Sequence, residues 1–174
     1  KFKTPSSHVT SITEDNTGKL WITLYNSGVM IFDPETKTCS FTGIRSKAEG
    51  KISSGNAWQI FEAKDGSMWM ATAAAGMKLY KLTSTTNPFN FFSFKPYKIY
   101  LLNDDVISIT DDTDGNIWIG TRSPEYPLLQ ILHLNRKQPL IQKIHWPAKI
   151  QAKYVTSLTV DKSSGNLWIG TDKG

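Results

Sequence analysis

The sequence predicts an all-β chain folded as a partial β-propeller of about three and a half four-stranded blades. Three observations predict it. One phrase returns four times, as "TEDNTGKLWIT", "EAKDGSMWMAT", "DDTDGNIWIGT" and "DKSSGNLWIGT". Its tryptophans, Trp21, Trp69, Trp118 and Trp168, stand 48, 49 and 50 residues apart. Helical periodicity is nearly absent, while Gly, Pro, Asn and Asp punctuate the chain at short intervals. A period near fifty residues built from short strands matches one propeller blade. A β-sandwich would account for the strands but not for the period.

The first copy shows how each unit is built. "HVTSITE" (8–14) is rich in β-branched residues and reads as the innermost strand. "DNTG" (15–18) is a turn, with Gly18 free to take positive φ and Asp and Asn able to cap it. "KLWITLY" (19–25) and "GVMIFD" (28–33) are the second and third strands, the latter ended by Asp33-Pro34. "TCSFTGI" (38–44) is the fourth. The second unit continues with "GMKLYKL" (76–82) and "FNFFSF" (89–94), the third with "LLQILHL" (128–134) and "LIQKIHW" (140–146). The fourth copy has one extra residue in its turn. The blades are expected at residues 8–46, 56–95 and 105–146, with a half blade at 154–174, in one incomplete domain over 1–174. A blade cannot cover both faces of its sheet alone and needs neighbours. The recurring Trp is the candidate filling between blades, each burial worth about 4–6 kcal/mol gross.

Composition narrows the class. The 174 residues suffice for one domain with a core, and 39% hydrophobic with 20% charged residues suits a globular chain. No apolar run approaches the roughly 20 residues of a spanning helix, and "KFKTPSSHV" lacks a signal-peptide core. The net charge is +5, but the lysines are scattered, so solubility explains it better than bound nucleic acid. The single cysteine, Cys39, forms no internal disulfide and leaves the redox compartment open.

The phrase V-x-S-I-x-x-D-x-x-G-x-L/I-W-I-G-T, followed by G-V/L-x-x-F/Y-D, resembles the two-component regulator propeller repeat. "VTSITEDNTGKLWITLYNSGVMIFDPET" (9–36) and "VISITDDTDGNIWIGT" (106–121) carry the resemblance. It implies the extracytoplasmic sensor of a bacterial hybrid two-component histidine kinase of Bacteroidetes type, often sensing oligosaccharides. It also implies a fragment of a seven-bladed ring, in the periplasmic segment of an inner-membrane protein. The remaining blades and domains of the same chain would then be partners. None of the 174 residues shows a kinase ATP-binding motif, a receiver domain or a helix-turn-helix. Three and a half blades are fewer than a closed ring. The open faces are expected to dimerise or pack against something.

Catalytic chemistry finds no motif. Asp111, Asp112 and Asp114 invite a calcium loop, but Thr110 and Thr121 occupy the first and twelfth ligand positions of the best register. The cluster therefore reads as a turn. His8, His133 and His145 form no close pair at metal-ligand spacing. No nucleophile elbow, P-loop or Rossmann pattern is present. The expectation is no catalytic residue, no metal and no cofactor.

Ligand contacts are sought on the propeller face where second-to-third-strand loops and inter-blade loops emerge. "YNSG" (25–28) offers Tyr25 and Asn26. "RSPEYP" (122–127) breaks the repeat and offers Arg122, Glu125 and Tyr126 to a polar ligand. Trp58 lies outside the repeated Trp position, near the start of an innermost strand, and could approach the central channel. Tyr97, Tyr100 and Tyr154 could stack on sugar rings. The leading expectation is a sensor of a small polar ligand, such as an oligosaccharide, that is not an enzyme and binds no nucleic acid. The alternatives are a protein-interaction scaffold and, third, a propeller lyase or hydrolase.

Overall fold

The structure is a computed structural model that describes residues 8–43, 56–73, 80–82, 94–96, 101–102, 105–122, 128–135, 140–147 and 149–174. Three four-stranded antiparallel sheets follow one another along the chain. The first holds β1 (Val9–Glu14), β2 (Leu20–Leu24), β3 (Gly28–Asp33) and β4 (Thr38–Gly43). The second holds β5 (Asn56–Glu62), β6 (Met68–Ala73), β7 (Tyr80–Leu82) and β8 (Phe94–Pro96). The third holds β9 (Val106–Asp111), β10 (Ile117–Thr121), β11 (Leu129–His133) and β12 (Leu140–Lys143). A two-stranded sheet, β13 (Val155–Val160) with β14 (Leu167–Thr171), comes last. Strand order within each sheet follows chain order. The fold is a partial β-propeller, and no helix among the described residues is long and apolar enough to cross a membrane.

The first strands of successive sheets, β1, β5, β9 and β13, lie side by side, and β2, β6 and β10 each pack on the first strand of the next sheet. The core is therefore divided among three inter-sheet seams. Trp21, Val29 and Ile31 meet Ala57, Ile60, Met68 and Met70 in the first. Trp69 and Ala71 meet Val106, Ile109, Ile117 and Ile119 in the second. In the third, Leu128, Leu129 and Trp118 meet Val155, Leu158, Leu167 and Ile169. Each seam holds one indole of the repeated phrase from its earlier sheet. Trp168 differs: it is 64% exposed, because no later sheet covers it among the described residues.

Close approach constrains the second strands as well. A Cβ on Gly120 would stand 2.5 Å from Val155 Cγ1 and 2.9 Å from Val155 Cβ. The glycine of "WIGT" thus lets β10 touch β13. The turn glycines answer a different need: Gly18, Gly66, Gly115 and Gly165 take φ of 81°, 76°, 78° and 73°.

The turn acids are tied to the wedge. Asp15 Oδ1 accepts the backbone N–H of Thr17 (2.9 Å) and Lys19 (3.0 Å), while Oδ2 accepts Trp21 Nε1–H at 2.7 Å. Asp112 does the same, taking Asp114 and Asn116 N–H on Oδ1 and Trp118 Nε1–H (2.9 Å) on Oδ2. The second sheet has Ala63 at this place. There Trp69 Nε1 donates to Ser67 Oγ at 2.8 Å, and the Ser67 hydroxyl donates to Asp65. In the last sheet, with its longer turn, Asp161 accepts from Ser163 and Ser164.

Burial opposes ionisation of Asp15 and Asp112, yet their hydrogen bonds outweigh it and hold both carboxyls below the usual value of 3.8. The Ser164 and Ser163 hydroxyls lower Asp161 to about 2. Folded values below unfolded ones give stability that is fully present above 3.8 and lost as pH falls through the folded values. Urea midpoints should therefore stay level at neutral pH and drop from about pH 4 toward about pH 2, with a shallower drop for Asp112→Asn. Trp69→Ala should cost about 3–5 kcal/mol in urea unfolding. Trp168→Ala should change stability by no more than about 0.5 kcal/mol.

Candidate functional site

Each innermost strand contains one extra residue. Register against the second strand shifts between Val9 and Ser11, between Ala57 and Gln59, and between Val155 and Ser157. The same shift in the third sheet pairs Ser108 with Gly120 and Val106 with Thr121. The bulged residues are thus Thr10, Trp58, Ile107 and Thr156, at equivalent places in four sheets. A bulge bends its strand and re-aims a side chain. All four residues line one open cleft of about 600 Å³ that runs across the four innermost strands.

Trp58 is the only large aromatic among these four. Its Nε1 is buried and has no hydrogen-bond partner among the described residues. Its ring lies edge-on to Tyr25, with centroids 5.8 Å apart and planes at 62°. Tyr25 is similarly edge-on to His8, at 6.4 Å. Arg122 also lines the cleft, just past β10. Its Nε donates to Asp105 Oδ2 at 3.0 Å and its backbone N–H to Asp105 O at 3.0 Å. An isolated antiparallel bridge joins Arg122 to Tyr154, another lining residue. Asp172 accepts the N–H groups of Lys153 (2.8 Å) and Tyr154 (3.4 Å), which hold its carboxyl below the ordinary value. The rest of the described lining is Ser and Thr hydroxyls, the Gln59 amide and apolar side chains, a donor-and-acceptor surface without a carboxylate.

A second cleft, of about 740 Å³, opens at the other end of the same strands. Four of the five acids that line it are occupied by structure. Glu62 Oε2 accepts Asn16 N–H at 2.6 Å, Asp111 Oδ2 accepts Lys64 N–H at 2.7 Å, and Asp15 and Asp112 hold their turns. The first cleft is the stronger candidate, because the bulged Trp58 and the exposed Tyr154 line it.

The structure brings Trp58 and Arg122 into one cleft and sets Tyr25 against Trp58 at its rim. Asn26 sits in the same turn as Tyr25, with φ of 54°, and does not line the cleft. Glu125 and Tyr126 lie outside the described residues, as do Tyr97 and Tyr100. Sequence reasoning missed Thr10, Gln59 and Thr156; the signal that could find them is position, since each lies at or beside the bulge. His133 is engaged by Asn116 Oδ1 and Gln142 Oε1, each at 3.0 Å, as a strand residue.

The family model described as "Two component regulator propeller" matches residues 4–26 and 100–123. Two segments of the chain match that repeat. They lie in the first and third sheets, and the second and fourth follow the same plan with altered turns. No curated protein matches the chain. Among solved structures, it is similar to the extracellular domain assigned to a hybrid two-component system of B. thetaiotaomicron, with a TM-score of 0.69 and 17% identity over 97% of this chain and 21% of that one. A second such domain from B. thetaiotaomicron gives 0.62 and 21% identity, covering 97% of this chain and 26% of that one. Virginiamycin B lyase from Staphylococcus aureus gives 0.66 and 17% identity, covering 98% of this chain and 51% of that one. The propeller repeats described here therefore span about a fifth to a quarter of the two-component extracellular domains.

Proposed function

We propose that the chain is an extracytoplasmic ligand-sensing segment of a two-component sensor, of the histidine kinase and response regulator hybrid kind. In this reading it is the periplasmic segment of an inner-membrane protein, and the segment itself binds rather than catalyses. The repeat match supports the assignment to a two-component sensor. The observation that carries the ligand site is Trp58: a bulged indole in the cleft, with a buried Nε1 that no described residue satisfies. A buried N–H left unpaired costs about 1–3 kcal/mol, which a ligand oxygen would recover if the indole turned its N–H toward the cleft. An aromatic face flanked by hydroxyls, an amide and one guanidinium suits an oligosaccharide. Such a ligand offers an apolar ring face and many hydroxyls at once.

Binding would signal only through different affinities for two states of the sensor. The nearness of Tyr25 and Trp58, which belong to successive sheets, makes the first seam the element such a ligand would clamp.

Calorimetry of the chain against a panel of neutral oligosaccharides tests this. At least one should bind, and Trp58→Ala should weaken it about tenfold or more. Lys162→Ala, in the opposite cleft, should leave binding unchanged. Binding that survives Trp58→Ala would place the site elsewhere; a panel with no binder would remove the sugar from the reading.

A further inference from the structure

The residue four places past each repeated tryptophan carries unlike chemistry in the four sheets: Tyr25, Ala73, Arg122 and Asp172. The backbone contact at this place is the same in three of them. The N–H groups of Tyr25, Arg122 and Asp172 donate to the carbonyls of His8, Asp105 and Tyr154, each just ahead of an innermost strand, at 2.9, 3.0 and 3.3 Å. One backbone anchor thus holds a position whose side chain is free to differ. Of Tyr25, Arg122 and Asp172, only Arg122 lines the cleft that Trp58 lines.

Arg122 is also the single charged side chain in the described lining. It is 52% exposed, and one edge of its guanidinium is already fixed by Asp105 through Nε. No described residue pairs with Nη1 or Nη2. A guanidinium held at Nε keeps those two nitrogens as a planar fork, the shape that matches two oxygens of one acid group. Asp105 and Asp172 stand outside the lining, Asp105 engaged by Arg122 and Asp172 by the N–H groups of Lys153 and Tyr154. The opposite cleft has the reverse balance, with five acids against Lys64 and Lys162. The two clefts are separated by innermost strands such as β9, six residues long. At about 3.3 Å per residue that is roughly 20 Å, more than twice the Debye length of about 8 Å, so the acidic end does not oppose an anion at Arg122.

We propose that the ligand of this cleft is acidic: an oligosaccharide that carries a carboxylate or a sulfate, with a sugar ring against Trp58 and the charged group on the Nη fork of Arg122. The proposal rests on the oligosaccharide reading of the cleft and adds the charge to it. A neutral chain of the same backbone binds the same place more weakly.

Calorimetry of the chain against matched sets tests this. The sets are uronate-containing oligosaccharides, the same chains with their carboxyls reduced to alcohols, and sulfated chains of the same backbone. At least one acidic member should bind about tenfold or more tighter than its neutral match, and the set it belongs to names the acid group. The preference should shrink as salt is raised, because Arg122 is half exposed. Arg122→Gln should bring the acidic and neutral dissociation constants within about threefold of each other. Arg122→Lys, which keeps the charge but not the fork, should lose most of the preference. Lys162→Ala, in the opposite cleft, should leave it intact. Acidic and neutral chains that bind equally overturn the proposal, as does a preference that survives both Arg122 variants. In either case, neutral binding that Trp58→Ala weakens still supports the oligosaccharide reading, whereas a chain that binds no member of any set overturns both.

Discussion

At Trp21, Trp69 and Trp118, the large indole that fills the gap between two sheets has its single N–H paired within its own sheet. That pairing organises the repeat. At Trp21 and Trp118, the carboxylate that closes the preceding turn also receives the indole proton, through its second oxygen. Turn and wedge are therefore one unit: the group that ends the first strand also fixes the angle of the ring that packs on the next sheet. Where the acid is absent, at Ala63, a serine carries the indole contact and passes it on to Asp65. The chemistry changes while the demand it meets does not.

The same periodicity that builds the seams also prepares the cleft. A bulge at one place in every innermost strand gives four outlets for variation along one wall. Three are filled by Thr, Ile and Thr, and one by Trp. Because the bulge lies outside the strand pairing, its side chain can change without disturbing the ladder. Scaffold and recognition are thus separated by a single residue of register.

How much of this is legible in the sequence depends on where the cause lies. The strands, the turns and the wedging role of Trp21, Trp69 and Trp118 follow from spacing, because each copy carries its own reason to fold that way. The exposure of Trp168 does not, since burial is a property of the neighbour and not of the phrase. The link from Asp15 to Trp21 is written as a six-residue spacing, but Ala63 and the longer fourth turn interrupt the pattern and leave only turn-making visible. The bulges are invisible, because Thr10, Trp58, Ile107 and Thr156 share no chemistry, only a register that exists once strands pair. Trp58 and Arg122 could be singled out as departures from the repeat; that they share a cleft is set by the packing of the third sheet on the second.

The side-by-side order of the sheets has a further consequence. The main packing among the described residues joins consecutive sheets, so they are wired like a row of dominoes. An interior sheet is held on two sides and a terminal one on a single side. Among the described residues, a perturbation in the first seam reaches the last by way of the sheets between, through the inner strands and the second strands that pack on them.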